Sequence, residues 1–174
     1  VLAARDLQRQ ASRFMLNDFV VRQAQLADAD ALFEAHQDSV LNLCTGAYSP
    51  EQMNAWFSGR SAQMYRPALE ARQIWLAERS DQVMGFVGFA PGEVTLLFVR
   101  PAAAGLGLGK RLFALGMRKA ASAFAGPLTV VATLNSWKFY QGQGFVPVAE
   151  ESFARGQPEV HFPVVRMQRP AVSR

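Results

Sequence analysis

Residues 104–113 read AGLGLGKRLF: three glycines alternate with leucines, and two cations follow. Glycine lets a tight turn gather backbone N–H groups, and a helix that starts there adds the positive end of its dipole, so the stretch is a candidate phosphate cradle. Three phosphate loops have comparable spacing. A P-loop needs Gly, four residues, then Gly-Lys-Ser/Thr. Gly109 and Lys110 supply the Gly-Lys, but Ala104 stands at the first glycine and Arg111 at the magnesium-binding hydroxyl. A dinucleotide loop needs G-x-G-x-x-G. Its sixth position is Lys110 counted from Gly105, and Leu112 counted from Gly107. Both patterns fail. The third pattern, R/Q-x-x-G-x-G/A after a strand and before a long helix, finds Gly107 and Gly109 at its two small positions, with Gly105 preceding them. Ala104 replaces its Arg or Gln, which leaves that position without a polar side chain. Backbone N–H groups from Ala104 through Gly105, Leu106, Gly107, Leu108, Gly109 and Lys110 are the remaining donors, and Lys110 and Arg111 bring positive charge.

A second constellation follows in LNSWKFYQGQGFVPV: Asn135, then Tyr140 five residues on, then Gly144-Phe145. With both motifs in this order, residues 19–168 resemble the GNAT superfamily, the acyl-CoA-dependent N-acetyltransferases. The resemblance implies that acetyl-CoA is the co-substrate and that its acetyl group passes to a primary amine by direct attack in a ternary complex. Such a reaction needs an ammonium proton removed, a tetrahedral oxyanion stabilised and a leaving thiolate protonated. By match to the second motif, Tyr140 is the candidate general acid. Some members carry a Glu on the strand before the loop, which makes Glu93 the candidate base. With period two, Glu93, Thr95, Leu97 and Val99 would share a face; a solvent-exposed turn residue after Pro91-Gly92 is the other reading of Glu93. The family's strand splays from its neighbour and takes the pantetheine arm in the gap. That places oxyanion donors among the N–H groups of Leu97, Phe98 and Val99. Asn135 would touch the cofactor from the opposite side, or cap the helix before Ser136. A non-catalytic acyl-CoA sensor with the same fold is the alternative function.

These residues need a scaffold. The chain has 174 residues, half of them hydrophobic, enough for one domain with a sizeable core. Residues 1–18 form an Arg/Gln-rich extension, and the domain spans 19–174. FVVRQA is a first strand. ADADALFEAHQDSV and YSPEQMNAWF are helices, the second with Ser49, Pro50 and Gln52 as a capping box. IWLAER, VMGFVGFA and EVTLLFV form a meander, with the last strand central. The glycine loop opens a helix that ends at Gly126-Pro127. LTVVAT is a strand, NSWKFYQGQG a short helix, and FVPV and VHFPVVRM are two final strands, with Pro163 marking an edge or bulge. The order β-α-α-β-β-β-α-β-α-β-β is that of an α/β (α+β) chain, and the resemblance implies a GNAT-like fold: a mixed, mostly antiparallel sheet flanked by helices and splayed at the cofactor site.

Net charge is +4, but the cations are spread along the chain and form no long run, so nucleic acid is not the expected partner. The single Cys44 forms no internal disulfide and reads as a small buried side chain, which fits a reducing cytoplasm. His36 and His161 are far apart, so no metal site is expected. The uncharged stretch 120–137 is split by Gly126-Pro127, and no membrane span is expected. Asp30, Glu34 and Asp38 share one helix face, read as solvated, with attraction of a cationic amine as the other reading. Tyr48, Trp56, Phe57 and Trp75 are core aromatics or the lining of an acceptor pocket. The acceptor amine itself is not written in the sequence, and a homodimer is left open.

Overall fold

The computed structural model describes residues 18–170; of the expected N-terminal extension only Asp18 lies among them. β1 (Val20–Gln23) runs through a 3-10 turn into α1 (Ala29–Leu43). α2 (Pro50–Ala55) has the capping box its sequence spells: Ser49 Oγ accepts from Gln52 N–H, and the Gln52 side chain accepts from Ser49 N–H at 2.9 Å. A 3-10 turn at Ala62–Tyr65 then leads to α3 (Arg66–Glu70), which the sequence reading left out. Five residues are too few to show a helical period, and Pro67 in the first turn was its one signal.

The meander is β2 (Ile74–Arg79), β3 (Gln82–Ala90) and β4 (Glu93–Val99). A 3-10 turn at Pro101–Ala103 and the glycine loop follow, then α4 (Leu108–Ser122), β5 (Leu128–Thr133), α5 (Trp137–Gln141), β6 (Val146–Arg155) and β7 (Val160–Arg169). β6 is much longer than the expected FVPV strand, because its polar second half is held as a hairpin by β7 out to Arg155↔Val160. Pro163 behaves as an edge residue: β5 pairs with β7 only from Val164 onward, so no ladder bond to β5 is lost there.

The seven strands form one sheet in the order β1-β2-β3-β4-β5-β7-β6, antiparallel throughout except for β4 against β5. α4 and α5 cover one face, where Leu108, Leu112 and Phe113 meet Val87, Val94, Tyr140 and Phe145. α4 lies very close to the sheet at Gly116, where a Cβ would stand 2.5 Å from Val87 Cγ2. α1 covers the other face with Leu32 and Ala35 against Ile74, Leu76 and Phe86. Next to it, Val40, Tyr48, Trp56 and Phe162 close a third cluster under the β6–β7 hairpin.

The β4–β5 junction shapes the site. β4 is the central strand, and its parallel pairing with β5 covers only Glu93↔Thr129 and Val94↔Val130. Directly after, β4 carries an extra residue: Val94 pairs with Phe89, but Leu96 pairs with Gly88, leaving Thr95 as a bulge. A bulge bends its strand and increases the twist. Beyond it the two strands diverge.

Candidate functional site

The divergence opens a cleft of about 270 Å³. Thr95 to Val99 form one wall, Val131 and Thr133 the other, and Ser39, Leu43 and Cys44 of α1 close one side. Gly109, Asn135, Phe139 and Tyr140 complete it. The structure therefore brings Leu97, Phe98, Val99, Gly109, Asn135 and Tyr140 together, as the sequence suggested. It does not bring Glu93 with them. The bulge at Thr95 resets the alternation: Val94, Leu97 and Val99 pack on the α4 face, and Leu96 and Phe98 on the α1 face. Glu93, next to Val94, thus points to the α1 face, and the period-two face shared with Leu97 and Val99 does not exist. Its neighbour there is Arg166, whose guanidinium is held high first by its hydrogen bond to Glu151 and also by the charges of Glu151 and Glu93.

Backbone direction separates the three candidate oxyanion donors. Arg100 N–H donates to Met84 O of β3 at 2.8 Å. Alternation along β4 then turns the polar groups of Phe98 toward β3, and those of Leu97 and Val99 toward the cleft. Beyond Val94 no strand of the described residues pairs with that edge, so Leu97 and Val99 offer N–H and C=O groups to a ligand, whereas the Phe98 amide is already directed at β3.

At the mouth, Gly105 (φ 76°) and Gly107 (φ 89°) are left-handed, a conformation any side chain would strain. Gly107 is the N-cap of α4, and the first N–H bonded back into the helix is that of Arg111, to Gly107 O. The N–H groups of Leu108, Gly109 and Lys110 therefore have no helical acceptor. Leu108 itself is buried in the core, so only its backbone can serve a ligand. Ala104 and Gly105 are exposed at the turn, and Lys110 is exposed on the first helical turn.

Tyr140 sits beneath Phe113 and Phe139 at the cleft floor, and burial pushes its phenol above the ordinary tyrosine range. Asn135 does not cap α5, whose N-cap is Ser136. Its side chain instead crosses to α1: Nδ2 donates to Leu43 O at 3.2 Å, and Oδ1 accepts from Cys44 Sγ at 3.4 Å. Cys44 is buried as expected, and burial pushes its thiol up to about 11, with the Asn135 contact opposing. It remains a thiol at neutral pH.

The remaining sequence candidates lie outside the cleft. Tyr48 and Trp56 are core, and Trp75 lies beneath Lys119 on the α4 face. Glu34 and Asp38 are not a freely solvated pair: Arg100 meets Asp38 at 3.0 Å and Glu34 at 3.7 Å. The short helix and turn at residues 62–70, invisible to periodicity, supply Tyr65, whose hydroxyl bonds His36 Nδ1 at 2.7 Å.

The family model for an acetyltransferase (GNAT) domain matches residues 44–166, well over half of the chain. The chain belongs to the GNAT acetyltransferase family. The match runs from the C-cap of α1 to Arg166 of β7 and includes both cleft walls, the glycine loop and Tyr140. An uncharacterized N-acetyltransferase, YafP of Escherichia coli, is 25% identical over 136 residues, covering 78% of this chain and 87% of its own. Among solved structures, a GCN5-related N-acetyltransferase from Rhodopseudomonas palustris superposes with a TM-score of 0.73 at 22% identity, covering 87% of this chain and 94% of that one. The yncA structure from Salmonella typhimurium, solved with its cofactor acetyl-CoA, gives 0.64 at 20% identity and covers 90% and 96%. Both solved structures share the GNAT fold with this chain. No helix among the described residues is long and apolar enough to cross a membrane.

Proposed function

We propose that the chain transfers the acetyl group of acetyl-CoA to a primary amine by direct attack within the β4–β5 cleft. The observation that carries this reading is the unpaired β4 edge. Leu97 and Val99 present alternating N–H and C=O groups to an apolar gap, as an added strand would require, and an amide-bearing pantetheine chain suits that edge. The left-handed glycines and the first turn of α4 suit the pyrophosphate, with backbone donors replacing the side chain absent at Ala104.

The two faces divide the chemistry. Tyr140, reached from the α4 face, protonates the departing thiolate. Its raised pKa keeps it protonated through neutral pH. The N–H of Leu97 or Val99 receives the developing oxyanion. Asn135 fixes the β5–α5 turn against α1 and holds the cleft wall in place. The amine enters from the α1 face. Glu93 is on that face but off the cleft lining, so it takes the ammonium proton through water. An acyl-cysteine intermediate is disfavoured, because Cys44 is a buried thiol with a raised pKa.

Calorimetric titration tests the cofactor half. Acetyl-CoA should bind in the micromolar range, and ATP much more weakly. No binding by acetyl-CoA or free CoA rejects the reading. Tight binding without thiol release from any amine would instead favour the acyl-CoA sensor.

A further inference from the structure

Arg60 and Arg155 are like charges that the fold brings near each other, with no ion-pair partner for either among the described residues. Arg60 lies between α2 and the Ala62–Tyr65 turn, and Arg155 ends β6. Their segments touch: a Cβ on Gly156 would stand 3.7 Å from Ser58 Cβ, and Phe153 meets Trp56 edge-on at 5.8 Å. Arg155 lies over the Phe153 ring, 4.4 Å from its centroid, and its Nη1 donates to Ala154 O at 2.7 Å. Among the described residues Arg60 Nη1 faces only the weak acceptor Met64 Sδ, at 3.8 Å. Both guanidiniums are half-buried, and both are depressed chiefly by that burial, Arg155 also by the charge of Arg60.

Arg22, Arg66, Arg100 and Arg166 each form an ion pair, but among the described residues neither Arg60 nor Arg155 has a carboxylate within ion-pair distance. Two buried side-chain polar atoms of the described residues lack any hydrogen-bond partner: Arg155 Nε and His36 Nε2. Both belong to side chains that feel the charge of Arg60. Two half-desolvated cations side by side are stabilised by an oxyanion that accepts from their exposed N–H groups. The place is specific. The His36 ring stacks on Phe98 at 3.7 Å between centroids, and Phe98 lines the cleft. Phe57, three residues before Arg60, meets the same His36 ring edge-on at 5.0 Å, so the segment that carries Arg60 packs beside the residues that back the cleft on the α1 face.

We infer that the acceptor is an amine that also carries an oxyanion, a carboxylate or a phosphate, and that Arg60 and Arg155 hold this group while the amine reaches the cleft. The inference rests on the acetyl-transfer reading and adds the substrate class.

The test compares acceptors matched in length: ω-amino acids, ω-aminoalkyl phosphates, the corresponding amino-amides and diamines. Oxyanion-bearing amines should be acetylated preferentially, and the better of the two series identifies the anion. Arg60→Gln and Arg155→Gln should each raise KM for that acceptor roughly tenfold or more, the value of a lost charge-assisted hydrogen bond, with acetyl-CoA affinity kept. Arg155→Lys should recover part of the loss. Preference for amides or diamines, or an unchanged KM in both variants, overturns the inference and leaves acetyl transfer standing. A second arm needs no turnover. Sodium sulfate, against sodium chloride at equal ionic strength, should raise the wild-type Tm by more than that of Arg60→Gln or Arg155→Gln. An equal rise in all three proteins overturns the anion site even if acetyl-CoA itself fails to bind.

Discussion

At the residue scale, two buried groups have opposite tasks. Tyr140 lines the cleft with a phenol that burial keeps protonated. Tyr140→Phe keeps the ring packing against Phe113 and removes only the hydroxyl. It should lower kcat by about 10²–10⁴-fold, the usual worth of a general acid, with acetyl-CoA affinity nearly unchanged. Steady-state rates beside calorimetry check this, and an unchanged kcat removes Tyr140 from the chemistry. His36 is neutral for structural reasons. Burial, and secondarily the charge of Arg60, depress its pKa to about 3. An unfolded histidine titrates near ~6.5, so below that pH the unfolded chain binds a proton that the folded chain refuses. Stability attached to His36 is thus complete above about pH 6.5 and declines as pH falls, by up to about 1.4 kcal/mol per pH unit until the folded value is reached. Denaturant melts between pH 7 and 4 should show this slope. His36→Gln should flatten it at the expense of some stability at neutral pH, and an unaltered slope would assign it to other groups.

At the element scale, the tight seat of α4 on the sheet fixes where its N-terminus points. Gly116→Ala places a methyl against Val87, so it should destabilise by about 1–3 kcal/mol through overpacking, despite alanine's better helix propensity. A denaturant midpoint that rises instead would show that α4 can lift off the sheet freely. The same elements show what a sequence can express. β2 and β4 have the bounds that their alternating and apolar runs mark, and the capping box at Ser49 is present. The face expected for Glu93, Leu97 and Val99 is absent because a bulge is a property of two paired strands. Nothing in EVTLLFV alone marks Thr95 as the extra residue, since the count against Gly88 and Phe89 creates it. β6 was cut short because its second half has no apolar period and owes its extension to β7. Asn135 looked like a cap because caps are local, while its partners Leu43 and Cys44 lie about ninety residues earlier. The placement of the cleft walls, the glycine loop and Tyr140 was legible because it depends on backbone and order. The arginine pair was not, since Arg60 and Arg155 come near each other only when the hairpin folds over the α2 loop.

At the scale of the whole molecule, the sheet is two halves, β1–β4 and β5–β7, joined in parallel at two residue pairs. A cleft that opens from so short a seam needs ties at its open end. Tyr48 supplies one: its hydroxyl accepts from Leu134 N–H at 3.1 Å and donates to Pro163 O at 2.9 Å, so a residue of the α1–α2 connection holds both the β5–α5 turn and β7. Asn135 ties the same turn to α1. A ligand lying between β4 and β5 would bridge the halves along their length. Bound at about 100 times its Kd, acetyl-CoA should therefore stabilise the fold by about 2.7 kcal/mol, seen as a Tm rise of roughly 5–10 °C for a chain of this size. Tyr48→Phe leaves the aromatic packing on Trp56 and strands a backbone donor and acceptor, costing about 1–3 kcal/mol. If the tie also sets the width of the cleft, the variant should bind acetyl-CoA more weakly as well as melt earlier, because binding must then order the open end. A lowered Tm with an unchanged Kd would mean that Tyr48 stabilises the fold alone and that the β4 bulge by itself holds the cleft open.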